Sequence, residues 1–168
     1  MAKFFYTGLK TAVGTVYLAW GPKGLLLIEF PVSSERVFLR SMKCRFGVEA
    51  VRDDRSNTAA KTALRRYFDG EREVFKGVRL DMAAGTPFEQ AVWRGLRRIP
   101  YGRTWSYGHL ARAIGRPNAA RAVGGACGRN PLAPIIPCHR VVGSRGELTG
   151  YSGKGGLALK RRLIDMEA

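Results

Sequence analysis

Between Gln90 and Gly146 the chain has no aspartate, no glutamate and no lysine, yet the same stretch holds ten arginines. A helix face kept only for solubility interleaves both signs, as Glu71, Arg72 and Glu73 do earlier. The missing acids therefore count against a merely solvated surface. Arginine rather than lysine points to phosphate, because the guanidinium fork matches phosphate oxygens and does not lose its charge. With a net charge of +16 on 168 residues, the expected partner is nucleic acid. Other shortages exclude other classes. Cysteine occurs three times (Cys44, Cys127, Cys138) without CxxC spacing, so neither a disulfide framework nor a thiolate-rich metal centre is expected. His109 and His139 are the only histidines, too few for a zinc site, and neither metal nor cofactor is expected. No apolar run approaches membrane-spanning length, and Met1 to Tyr6 carry no cleavage signal. A cytoplasmic chain is predicted, nucleoid-associated if prokaryotic, with no membrane partner. No segment is low-complexity, and 45% of residues are hydrophobic, enough for one large or two small cored domains.

Residues 1–82 read as a small α/β unit. Phe4 to Thr7, Thr15 to Ala19 and Leu25 to Phe30 have strand character, and Gly21-Pro22-Lys23-Gly24 is a hairpin turn. Ser34 caps a helix carrying Val37, Met42 and Phe46, and a second helix near Asn57 to Phe68 stops at Asp69-Gly70. Val74 to Leu80 is expected to return as a strand. No catalytic constellation stands in this half, which reads as a scaffold. After a boundary near Met82 to Gly85, Thr86-Pro87-Phe88-Glu89 is a capping box with proline at the first helical position. The helix it opens puts Phe88, Ala91, Val92, Leu96 and Ile99 on one face. Ser106 caps a short helix, Tyr107 to Ile114, and Asn118 caps another running to about Arg129, a helix-turn-helix pattern.

The second of those helices, Ala119 to Ala126, has one arginine among alanines and glycines. Readers of base edges carry several amide or guanidinium side chains. This helix either packs tightly on another helix or presses its backbone into a narrow groove without reading sequence, leaving Arg121 to enter the base stack where a nucleotide is extruded. Downstream, Pro137-Cys138-His139-Arg140-Val141 sets a thiol beside an imidazole, after an apolar run. A nearby base makes a cysteine nucleophilic. By itself the pair fits a buried structural cysteine better.

Taken in order, Ser106-Tyr107, Ala120-Arg121-Ala122-Val123-Gly124, Asn130-Pro131, Pro137 to Val141, Tyr151-Ser152-Gly153 and a last helix ending in Glu167 closely resemble the O6-alkylguanine-DNA alkyltransferases. These are also called methylated-DNA–protein-cysteine methyltransferases. The match covers residues 86–168 at motif level. It implies an RNase H-like α/β N-terminal domain (1–82) and a mainly α, winged helix-turn-helix C-terminal domain (86–168) that binds DNA and accepts the alkyl group. The implied activity is direct damage reversal: O6-alkylguanine, with O4-alkylthymine a further candidate, is flipped from duplex DNA and its alkyl group passes irreversibly to Cys138. A monomer is expected, with cooperativity on DNA left open.

The resemblance also implies roles. Cys138 is the acceptor, His139 the base, Glu167 its orienting partner, and Asn130 a brace beneath the site. Since neighbours in an extended segment point apart, a water is expected to relay the proton from Cys138 to His139. Tyr107 and the Ser152 region meet the charge on the departing guanine. The carbonyls of Cys138 and Val141 receive its exocyclic amine, and Ala133 and Tyr151 border the pocket. On the DNA side stand Arg121, Ala120, Ala122, Gly124, Tyr107 and the phosphate-contacting Ser144. Two features depart from the family's shortest members: a loop lengthened by Lys154-Gly155, and Ala133 where some members carry proline. Both leave the accepted alkyl size open. A thioether is not cleaved by water, so each molecule is expected to act once.

Overall fold

The computed structural model describes residues 2–151, 153 and 155–168. The chain divides into two compact units, Met1–Ala84 and Gly85–Ala168. The first is mixed α/β. Strands β1 (Phe4–Thr11), β2 (Gly14–Gly21) and β3 (Gly24–Glu29) form an antiparallel meander, and β4 (Ala50–Arg52) adds parallel to β1, giving the order β3-β2-β1-β4. The Pro22-Lys23 hairpin joins β2 to β3 as expected, with Gly21 opposite Gly24. Gly24 has φ +129, and a Cβ there would lie 2.6 Å from the Arg79 carbonyl oxygen. Only glycine allows that approach.

Helix α1 (Glu35–Phe46) begins at Ser34, whose side chain accepts the Val37 N–H, and ends at Gly47 in the left-handed region. Its core residues are Phe38 and Met42, packed with Tyr6, Ala19, Leu26 and Leu27. Val37, expected inside, is exposed, and Phe38 takes its place one residue on. Helix α2 (Thr58–Phe68) buries Ala60, Ala63, Leu64, Tyr67 and Phe68. The strand expected over Val74 to Leu80 does not form. Glu73 and Gly77 have positive φ, which interrupts extended backbone, and only Leu80 bridges to Leu25.

The second unit is mainly helical. Helix α3 (Pro87–Leu96) has the complete capping box: Thr86 accepts the Glu89 N–H, and the Glu89 carboxylate accepts the Thr86 N–H at 2.8 Å. Its buried face includes Val92, Trp93 and Leu96, whereas Phe88 and Ala91 are only partly buried. A two-residue strand β5 (Trp105–Ser106) precedes α4 (Tyr107–Ala113), which Ser106 caps through the His109 N–H. Helix α5 (Ala120–Gly128) follows. Its N-cap is Ala119 rather than the expected Asn118, because residues 116–119 close a turn through Ala119 N–H to the Arg116 carbonyl. Trp93 Nε1 donates to the Ala126 carbonyl at 3.0 Å, fastening α5 to α3. Strand β6 (Val141–Val142) pairs parallel with β5, and α6 (Gly156–Glu167) ends the chain. Among the described residues, no helix is long and apolar enough to cross a membrane.

Candidate active site

Cys138 opens a single 3-10 turn, Cys138–Arg140. This corrects the expectation of an extended segment. Pro137 sits at φ −84, ψ 68 with the Cys138 N–H on the Ile136 carbonyl at 2.9 Å, an inverse γ-turn that bends the chain before the thiol. Asn130 braces this bend: its Nδ2 donates to the Ile136 carbonyl at 2.7 Å, and its Oδ1 accepts the Leu132 N–H at 3.0 Å. The β5–β6 pairing then ties the start of α4, with Tyr107, to the chain just after the turn.

His139 is fully buried, and its Nε2 lies 2.7 Å from Glu167 Oε1. Glu167, 2% exposed, also accepts Arg140 Nε at 2.7 Å and Nη2 at 3.0 Å. Arg140 donates its remaining Nη1 to the Ile99 carbonyl. A carboxylate held by such a fork stays ionised and can only accept, so Nε2 carries the imidazole proton and Nδ1 is the basic nitrogen. Burial pushes the His139 pKa down, partly offset by Glu167, and the resting ring is neutral.

Cys138 is buried, with 8% of the residue exposed. Burial raises the Cys138 pKa, while the Asn130 hydrogen bond and the Lys160 charge oppose it. Cys138 therefore rests as a thiol and needs a base when it reacts. Cys127, inside α5, is pushed up to about 12 by burial and then by Cys138, so it too rests as a thiol.

Lys160 escaped the sequence reading. Its side chain is wholly buried, with Nζ donating to the Thr149 carbonyl at 2.8 Å and lying 5.7 Å from the Tyr107 ring centroid. Burial lowers its pKa, and the fields of Cys138 and Cys127 raise it. The signal was the spacing Lys160, Leu163, Glu167, which sets the lysine on the buried stripe of α6. Arg140, quoted only as part of a motif, proves to be the clamp on Glu167.

The other candidates fall around this centre. The Tyr107 hydroxyl donates to the Thr149 carbonyl at 3.0 Å and the Gly150 carbonyl at 3.3 Å. Burial, then the Cys127 field, raises its pKa. Tyr151, partly buried, is raised by burial and by Cys138, which ties its hydroxyl electrostatically to the sulfur. Val141 is buried, and its N–H closes the turn on the Cys138 carbonyl. That carbonyl keeps a second lone pair for another donor. Ala133 is partly buried, and Ser144 is exposed in the turn after β6. On α5, Arg121 and Ala122 are exposed and Ala120 and Gly124 partly buried, while Val123, Ala126 and Cys127 face inward. A Cβ on Gly124 would sit 3.7 Å from the Tyr107 ring, so the tyrosine lies against this helix. Ser152 lies outside the described residues.

Comparison with known proteins adds an independent line. The family described as "6-O-methylguanine DNA methyltransferase, DNA binding domain" matches residues 87–168. A methylated-DNA–protein-cysteine methyltransferase of Mycobacterium bovis is 53% identical over 110 residues, 66% of this chain and 64% of that protein. One from Methanosarcina acetivorans is 37% identical over 163 residues, 97% of each. Among solved structures, Mycobacterium tuberculosis OGT in complex with DNA superimposes with a TM-score of 0.80 at 40% identity, covering 97% of this chain and 92% of that one. By its near full-length likeness to the archaeal relative and the family match over the unit that holds Cys138, the chain belongs to the methylated-DNA–protein-cysteine methyltransferases.

Proposed function

We propose that the protein repairs DNA by direct reversal, taking the alkyl group of O6-alkylguanine onto Cys138 once per molecule. The observation that carries this reading is the buried His139–Glu167 contact of 2.7 Å in the residue after the thiol. It supplies a neutral, oriented base beside a sulfur that burial keeps protonated. In the reaction, His139 Nδ1 takes the Cys138 proton through a water. The sulfur attacks the alkyl carbon, a C–S bond forms, and the C–O6 bond breaks. The departing guanine takes a hydrogen bond or a proton from Tyr107, whose hydroxyl must first leave the Thr149 and Gly150 carbonyls. A proton given up there is made good through solvent by the one His139 accepted, and Lys160 remains on the Thr149 oxygen. The Lys160 charge also favours the thiolate as it forms, an electrostatic stabilisation that needs no reorganisation.

The DNA side of the proposal rests on α5. Its exposed Ala122 and partly buried Ala120 and Gly124 leave a low surface for close backbone approach, with Arg121 standing out to fill the place of the flipped nucleotide. The protein would then have an RNase H-like first domain and a winged helix-turn-helix second domain over 86–168, and would act as a monomer on duplex DNA in the cytoplasm. Ala133 and Tyr151 would border the alkyl pocket, and Ser144 would meet a phosphate. The test uses duplex DNA carrying methyl-labelled O6-methylguanine. Label should move to Cys138 in a one-to-one burst. Multiple turnover, or label on Cys127, would overturn the mechanism.

A further inference from the structure

Glu147 is the single carboxylate between Gln90 and Ile164, a stretch that contains all fourteen cations of the second unit. An acid so placed opposes the field around it, and its side chain has a specific pose. The Glu147 carboxylate accepts the backbone N–H of Arg145 at 2.8 Å. It lies across Gly143, where any Cβ would collide with it. Yet the turn does not need this contact. Gly146 N–H closes on the Gly143 carbonyl at 3.0 Å, Gly143 N–H closes on the Glu147 carbonyl at 2.8 Å, and Gly146 supplies the left-handed φ of +82. The backbone alone defines the loop.

The same turn carries donors suited to an anion. The Arg145 N–H stands beside the exposed Ser144 hydroxyl and the exposed Arg145 guanidinium, three donor groups on two consecutive residues. Such a combination of backbone N–H, hydroxyl and arginine is how proteins grip DNA phosphates. We propose that the Glu147 carboxylate occupies, in the DNA-free protein, the backbone donor that a phosphate takes when duplex binds. It is an internal phosphate substitute that weakens resting affinity for undamaged DNA. This inference rests on the DNA-repair reading above, which puts Ser144 against the duplex. A carboxylate and a phosphate cannot share one N–H, and their charges repel, so binding must displace the side chain.

The experiment compares wild-type protein with Glu147→Gln and Glu147→Ala, titrating each into an undamaged fluorescent duplex at low salt. The glutamine keeps an oxygen for the Arg145 N–H without the charge, and the alanine removes both. Both variants should bind roughly three- to tenfold more tightly than wild type, since a neutral or absent competitor yields the donor more easily. Equal or weaker binding by Glu147→Gln would overturn the inference and make Glu147 a support of the turn. A wild-type chain that binds no duplex at all would instead overturn the DNA reading, whatever the variants do.

Discussion

An ammonium buried as fully as that of Lys160 persists only where dipoles or incipient anions face it. Thr149 supplies a carbonyl, the Tyr107 ring its face, and Cys138 a sulfur that becomes negative on attack. Replacing Lys160 with methionine keeps much of the packing and removes the charge. Alkyl transfer should then slow by about tenfold or more, since losing the cation raises the thiol pKa and withdraws stabilisation from the developing thiolate, and tenfold in rate is about 1.4 kcal/mol. Labelled-transfer rates across a pH series would check this, and an unchanged rate would deny the lysine any part in the chemistry. His139 sets a second expectation. As its pKa is lowered, wild-type transfer should be level through neutral pH and fall only below the ordinary imidazole range. A rate that climbs steadily from neutral to alkaline pH would mean that pre-formed thiolate, not base-assisted thiol, is the reactive species. Glu167→Ala leaves the Arg140 guanidinium and the His139 ring without their shared carboxylate, at a cost of about 3–5 kcal/mol, readable by urea unfolding.

At the scale of elements, contacts distant in sequence hold the helices that carry the site. Gly95 lets α3 meet α4: a Cβ there would lie 2.7 Å from Ile114 Cγ2 and 2.8 Å from Leu110 Cδ1. Gly95→Ala should therefore destabilise the fold by about 1–3 kcal/mol despite alanine's better helix propensity. Thermal unfolding would show it, and a gain in stability would mean that the interface gives way easily. The capping box of α3 has a further reach. Glu89 also pairs with Arg129 at the C-cap of α5, so one carboxylate starts α3 and anchors the last turn of α5. The motif was readable in four consecutive residues, but the partner forty positions away was not. Likewise, Ser34 and Ser106 announced their helices, while the two-residue strands β5 and β6, which bring Tyr107 toward the thiol, have no periodicity long enough to see.

Over the whole molecule, charge is divided unevenly: fifteen cations against nine acids in residues 1–84, and fourteen against four in residues 85–168. Duplex binding by the second unit should accordingly fall steeply with salt and depend little on sequence, because released counterions dominate the free energy. A flat salt response would contradict a phosphate-led interface. Stability should depend on pH as well. The folded chain holds His139 neutral below the pH at which the unfolded chain protonates it, so the unfolded state binds the extra proton. Folding stability then declines as pH falls through the ordinary imidazole range.

Residue order alone determined the arginine-rich, acid-poor second half, the helix starts at Ser34, Thr86 and Ser106, the hairpin of the first unit, and the run of motifs that names the family. All of these depend on neighbours within a few positions, where propensity and capping act. Tertiary packing decided the rest. It bent Cys138 and His139 into a 3-10 turn through Pro137, brought Glu167 across 28 residues to the imidazole, and clamped it with Arg140. It also buried Lys160 against the Thr149 carbonyl and the Tyr107 ring and broke the strand expected at Val74 to Leu80. Those outcomes turn on burial and on partners remote along the chain, and no local pattern encodes the loss of water that makes them matter.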